Sequence, residues 1–163
     1  MFRMTTSACI DAPVDVVWAH LARLDQIHVW TDAIRRVSVS PECAAGVGAV
    51  RTCELAGERT LHERIVAWQE GVSYTYESTD APMMKLARNR WSVRAESASR
   101  TLVTSEADIE FRGGYFGRLL GFLLVPLIRV LLPNPIAKFK YWVENGRPYD
   151  GKASKLRTPP ALC

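Results

Sequence analysis

Histidine is scarce in this chain: its three copies, His20, His28 and His62, are dispersed, form no metal triad and accompany no nucleophile. Cysteine is almost as sparse. Cys9, Cys43, Cys53 and Cys163 make no CxxC pair and no metal spacing, so reduced thiols are expected. Gly46-Val47-Gly48 lacks a third glycine and a following helix, which argues against a nucleotide loop. No long apolar run spans a membrane either. Residues 119–132 come nearest, but they fall short of the roughly 20 needed and contain Gly121, Pro126 and Arg129. Residues 1–7 hold no apolar stretch of the secretory kind, so a cytoplasmic chain is expected. Internal repeats and low-complexity tracts are missing too.

What is present fits one globular unit. With 163 residues, 48% apolar and 23% charged, the chain is long enough to bury a core without staples. The net charge of +4 is unevenly placed. Residues 1–112 carry 13 Lys and Arg against 15 Asp and Glu, whereas residues 113–163 carry 8 against 2. A solvated helix face and a flexible basic tail over residues 147–163 explain this most simply. Attraction to an anionic membrane surface or an acidic ligand is the sharper reading.

Taken in order, residues 3–11 read as a strand, and Asp11-Ala12-Pro13-Val14-Asp15 as a helix start with proline in the first turn. Val14, Val17, Trp18 and Leu21 recur at helical spacing. A second short helix is expected over residues 26–30. Strands follow over 34–40, 50–55, 60–68, 72–78, 85–95 and 101–112, joined by short glycine-containing turns that argue antiparallel hairpins. Residues 79–84 form a longer loop. Residues 113–146 read as one long, Pro-kinked helix, apolar on nearly all sides between 119 and 132, laid across the concave face of a curved sheet to close a cavity. Helices segregated to one face of an antiparallel sheet define an α+β domain, here residues 1–146.

That order resembles the helix-grip fold of the START/polyketide-cyclase-like (SRPBCC) superfamily. Three pieces carry the resemblance: IDAPVDVVWAHLARLDQIHVWTDAIRRVSV (residues 10–39), GVGAVRTCEL (46–55) and LHERIVAWQEGVSYTYES (61–78). They are similar to the family's "I-x-A-P-x-x-x-V-W" opening, its "G-x-G-x-x-R" strand entry and its "E-R-[IV]" strand. KFKYWVENG (138–146) is similar to its closing helix, and the pattern lies nearest the type 2 polyketide cyclase/dehydratase branch. The resemblance implies about seven strands around a C-terminal helix, with two short helices after the first strand. It also implies a ligand cavity into which the acid of the E-R strand, Glu63, points. Members bind lipids, polyketides, hormones or aromatic acids, and some cyclise polyketides. One departure is plain: residues 119–132 are more apolar and more proline-broken than a typical grip helix.

Strand alternation sorts candidate residues by face. Leu61, Glu63 and Ile65 share the inward side, with Arg51 and Cys53 on the strand before and Tyr74 and Tyr76 on the strand after. Trp91, Val93 and Ala95 match Val103, Ser105, Ala107, Ile109 and Phe111, leaving Glu106, Asp108 and Glu110 to solvent. Trp30 and Ile34 from the helical support, and Phe116, Leu120, Leu123 and Leu124 from the long helix, complete the expected lining. Such a list suits an apolar or aromatic ligand with a small polar handle. Glu63 and Arg51 stand out, because a buried carboxylate requires a partner. They are either a strand-orienting ion pair or a functional pair, with Arg51 gripping a ligand oxygen and Glu63 as tuner or general base. Tyr74 and Tyr76 are equally open between core packing and anchoring a carbonyl, and buried Cys53 ordinarily behaves as a small hydrophobe.

The expectation is therefore a container for a small hydrophobic ligand, with no cofactor and no metal. A cyclase or dehydratase using Glu63 and Arg51 is one rival. A lipid-transfer or membrane-docking module is the other. Nucleic acid is not expected as a partner, since the outer sheet face is acidic. Peripheral membrane contact or a homodimer would shield the apolar segment.

Overall fold

The computed structural model describes residues 1–57, 59–81, 83–131, 133–151 and 156, as backbone only at 118, 120, 128–131 and 133. Strand β1 (Phe2–Ile10) leads into helix α1 (Val14–Leu21) and a 3₁₀ turn (Leu24–Val29). Then come β2 (Ile34–Val39), β3 (Val50–Leu55), β4 (Thr60–Gln69), β5 (Ser73–Ser78), β6 (Met84–Ser97) and β7 (Arg100–Phe111). Helices α2 (Gly114–Leu131) and α3 (Pro133–Asn145) close the chain. The seven strands form one antiparallel sheet in the order β1-β7-β6-β5-β4-β3-β2. This is an α+β helix-grip architecture.

Local chemistry sets the entry to the helical support. Pro13, extended at φ −60° and ψ 152°, precedes the first turn of α1, where Asp15 meets the positive end of the helix dipole. Val17, Trp18 and Leu21 then fall on one buried face. The Thr101 hydroxyl donates to the Ala12 carbonyl at 2.8 Å and ties the start of β7 to this corner. The second helical piece is a 3₁₀ turn that begins at Leu24, two residues before the expected helix, and buries Leu24 and Ile27.

Two apolar clusters lie against the sheet. The larger joins α1, the 3₁₀ turn and α3 to the sheet through Trp18, Trp30, Tyr74, Trp91, Phe139 and Trp142. The smaller gathers Met4, Ala107, Ile109 and Phe111 under Val125 of α2. Irregular pairing interrupts the ladders of β2/β3, β4/β5 and β6/β7 and bends the strands there. Ala95 keeps the register of Trp91 and Val93, opposite Thr101, but is exposed near the end of its strand.

The C-terminal region is helical as expected, but its two halves pack differently. Helix is described on both sides of residue 132, as α2 up to Leu131 and as α3 from Pro133. The helix that packs into the main core is α3, through Ile136, Ala137, Phe139 and Trp142, and not the more apolar α2. Lys140 donates to the Cys9 carbonyl at 2.6 Å, and Glu144 accepts from the Asp11 amide at 2.8 Å, fixing α3 across the end of β1. Cys43 and Cys53 are free thiols, but Cys9 is not, which corrects the expectation of reduced thiols throughout. Most of the expected 147–163 tail lies outside the described residues.

Candidate functional site

A cavity of about 360 Å³ opens between the sheet and the segment around Trp30. Its floor comes from successive strands: Leu55 of β3, Leu61 and Glu63 of β4, Tyr76 of β5, Ala87, Asn89 and Trp91 of β6, and Ser105, Ala107 and Ile109 of β7. Ile27, Trp30, Thr31, Ala33 and Ile34 form the opposite wall, while Ala81, Met84 and Pro135 border it from the loop and the start of α3. Two larger hollows have a different character. One of about 490 Å³ lies beside the start of α2. The other, about 450 Å³, lies on the outer sheet face among Arg3, Arg88, Arg90, Glu106 and Asp108, charges that pair with one another or with Glu77.

The cavity's polar atoms form one row across the sheet, built by register. Arg51 and Glu63 are directly opposite on β3 and β4; Tyr76 opposes Asn89, and Asn89 opposes Ala107 next to Ser105. Arg51 Nε donates to Glu63 Oε2, and the guanidinium lies over the Tyr76 ring at 4.5 Å. The Cys53 thiol points at the same Glu63 oxygen from 3.7 Å. Ser105 Oγ donates to Asn89 Oδ1 at 3.0 Å, and Asn89 Nδ2 donates to the Tyr76 hydroxyl at 3.4 Å.

Burial shapes the electrostatics of this row. Arg51 is 1% exposed and Glu63 5%, so each charge has little water to lean on. Desolvation alone would lower the Arg51 pKa; the Glu63 carboxylate, with smaller contributions from Tyr74, Tyr76 and Cys53, outweighs it and holds the guanidinium above its ordinary value. Burial, reinforced by Glu63, pushes the Cys53 thiol up to about 12. Burial also raises Tyr74 and Tyr76 above the usual phenol value, so both keep their protons at neutral pH. Among the described residues, four buried side-chain polar atoms have no hydrogen-bond partner: Thr31 Oγ1, Arg51 Nη2, Tyr74 OH and Trp91 Nε1. By contrast the indoles of Trp18 and Trp68 both donate to Glu70, at 2.6 and 2.8 Å.

The expected lining divides into three groups. Trp30, Ile34, Leu61, Glu63, Tyr76, Trp91, Ser105, Ala107 and Ile109 face the cavity. Arg51, Cys53, Ile65, Tyr74 and Val93 are buried in the layer around it and do not line it. Arg51 therefore stands behind Glu63 and meets a ligand only through it. The α2 residues do not reach the cavity. Phe116 and Leu123 are exposed, Leu124 packs at the edge of the smaller cluster, and the Leu120 side chain lies outside the described residues. The reason is the approach of α2 over β1 and β7, which leaves the cavity to be closed by the residues around Trp30 and the start of α3.

Asn89 went unnoticed in the sequence, although the alternation that selected Trp91 and Val93 also selects it. Met84 and Arg88 carry no such signal. The irregular pairing between Met84 and Leu86 shifts the strand's parity there. Among the described residues no cluster of three or more His, Cys, Asp or Glu could hold a metal ion.

Comparison with known proteins agrees with this architecture. A solution structure from Thermobifida fusca is 21% identical, with a TM-score of 0.68 over 88% of this chain and 96% of that one. The Zhui aromatase/cyclase from a Streptomyces species is 16% identical, with a TM-score of 0.66 over 91% and 99%. A START superfamily protein from Mycobacterium smegmatis is 12% identical, with a TM-score of 0.57 over 79% and 93%. At these identities the likeness is one of fold. No curated protein matches the sequence. The model of one family, polyketide cyclase / dehydrase and lipid transport, matches residues 1–132, and the chain belongs to that family.

Proposed function

We propose that this protein binds a small apolar or aromatic molecule bearing oxygen substituents in the cavity between the sheet and Trp30. The observation that carries this reading is the apolar wall of the cavity with a polar row along it: Glu63, Tyr76, Asn89 and Ser105. Arg51 and Cys53 both reach Glu63 Oε2, which leaves Oε1 to accept from a ligand hydroxyl. The Tyr76 hydroxyl accepts from Asn89 and has its own hydrogen to give to a ligand carbonyl. The unpartnered donors of Thr31 and Trp91 belong to lining residues, and a small rotation would turn them to a bound oxygen.

Trp30 and Trp91 supply the test, because a ligand between them changes their emission. Full-length protein is titrated with a panel of fatty acids, naphthols and polycyclic phenols while tryptophan fluorescence is followed. Saturable quenching is expected for at least one class. Ala107→Trp, which fills the cavity, should abolish it, and Glu63→Gln should weaken the hydroxylated members by about tenfold, the loss of one charge-assisted bond. Unchanged quenching in Ala107→Trp would sink the proposal.

A second reading is turnover of the cyclase or dehydratase kind. It is favoured by one observation: a carboxylate and a phenol, Glu63 and Tyr76, stand on the same cavity wall. It requires that Glu63→Gln bind a substrate and fail to convert it. Binding and product formation both intact in that variant would remove Glu63 from any catalytic role.

A further inference from the structure

We propose that the outer face of α2 docks on an anionic lipid surface. The helix is turned opposite to an ordinary surface helix. Its small residues face the protein: Gly117, Gly121 and Val125, four apart, are buried. A Cβ on Gly121 would fall 2.2 Å from the Phe2 ring, so the absence of side chains is what lets the helix lie down. Its large apolar residues face outward. Tyr115 is 88% exposed, Phe116 84%, Phe122 71% and Leu123 70%, with Leu119 and Leu127 exposed beside them. Spaced three and four apart, they make one continuous stripe. The charged residues in the α2 sequence are Arg118 and Arg129, both basic. Met83 extends the patch: it is exposed, and its carbonyl accepts from the Arg112 amide at 3.0 Å, next to the start of α2.

Charge selects the occupant. Residues 113–163 carry 8 Lys and Arg against 2 Asp and Glu, while residues 1–112 carry 13 against 15. Of these basic residues, Arg118 and Arg129 belong to α2 itself, which holds no Asp or Glu. Self-association through this face would bring two such segments together and set like charges against each other. An anionic headgroup layer neutralises them instead. The aromatic content also suits the boundary between headgroups and acyl chains. The helix lies on such a surface and does not cross it, because no described helix is long and apolar enough to span. Docking there sets the cavity beside the lipid: Ala107 and Ile109 line the cavity and pack with Val125 of α2. The proposal stands whatever the cavity holds.

The experiment is flotation of the full chain with vesicles of phosphatidylcholine alone or with about 30% phosphatidylserine, the anionic component that basic segments recognise. Sedimentation velocity runs in parallel without lipid. The expected result is a monomer that floats with the anionic vesicles and is released as salt rises from about 0.1 M to about 0.5 M. Phe122→Glu with Leu123→Glu should reduce binding by about tenfold or more at unchanged circular dichroism. Equal flotation with both vesicle types overturns the anionic assignment. No flotation with either overturns the proposal. A dimer that the same double variant dissociates would make a second copy the occupant.

Discussion

Helices α2 and α3 follow one another with a single residue between them, yet the fold treats them in opposite ways. The polar-looking α3, with Lys138, Lys140 and Glu144, sends Ile136, Ala137, Phe139 and Trp142 into the main core. The almost wholly apolar α2 turns its glycines inward and its phenylalanines outward. The difference teaches that apolar content does not by itself decide burial. In α3 the apolar residues sit on one side and the charged ones find partners: Lys138 pairs with Asp32, Lys140 with Glu144. One orientation satisfies everything. In α2 nearly every residue is apolar, so shape decides, and the glycine side fits closely against Phe2 and Phe111.

The largest expected effect tests this contrast directly. Phe139→Ala, at a fully buried site, should destabilise by about 3–5 kcal/mol in urea denaturation. Leu123→Ala on the outer face of α2 should stay within about 0.5 kcal/mol. Equal losses would mean that the outer face of α2 is covered in solution. Next comes the polar row. Arg51→Met leaves Glu63 buried without a partner and should cost about 3 kcal/mol or more, and adding Glu63→Leu should recover most of it. A double variant as unstable as the single one would show that the guanidinium matters through its contact with Tyr76 and not through its charge.

Gly117→Ala should cost about 1–3 kcal/mol, the usual range for forcing atoms into a filled space. Its Cβ would lie 2.3 Å from the Arg112 carbonyl oxygen, which is backbone and cannot swing aside. Limited proteolysis should then cut first at α2, and an unchanged cleavage pattern would show that α2 does not depend on the close approach. Smaller still is the thiol contrast. Half-buried Cys43 should alkylate with iodoacetamide in the native protein. Cys53, buried and with its pKa pushed up to about 12, should react only after unfolding. The weakest effect lies at the loop before β6. Asp80 accepts from the Ser78 hydroxyl at 2.6 Å and from the His62 amide, contacts that hold its carboxyl below the ordinary value despite some burial. Its stabilising contribution is present above the usual carboxylate range and lost as pH falls below about 4, so Asp80→Asn should flatten the acid limb of a Tm–pH profile slightly.

Much of the sheet was legible because alternation and short turns carry register information locally. The opposition of Arg51 and Glu63 follows from a single hairpin, and the inward set of β7 from strict period-two spacing. Asn89 was legible by the same rule but had to be sought on a long strand. Legibility ended where the ladder was irregular: Met84 faces the cavity because the shift between Met84 and Leu86 changes parity there. It ended again at α2, whose small residues face the protein while its large apolar side chains face outward, the reverse of what apolar patterning indicates.

By itself, then, the sequence determined the α+β order of elements, the antiparallel pairing, and an ion pair facing the interior, since each depends on neighbours within a hairpin or a turn. The tertiary structure alone decided two things. It gave the core to the second half of the C-terminal helical region, and left Glu63 facing the cavity while Arg51 went behind it. Those outcomes depend on which distant surfaces fit together, on two glycines against Phe2 and Arg112 and on Phe139 against Trp30 and Trp91. Packing complementarity between segments a hundred residues apart has no signature in local spacing.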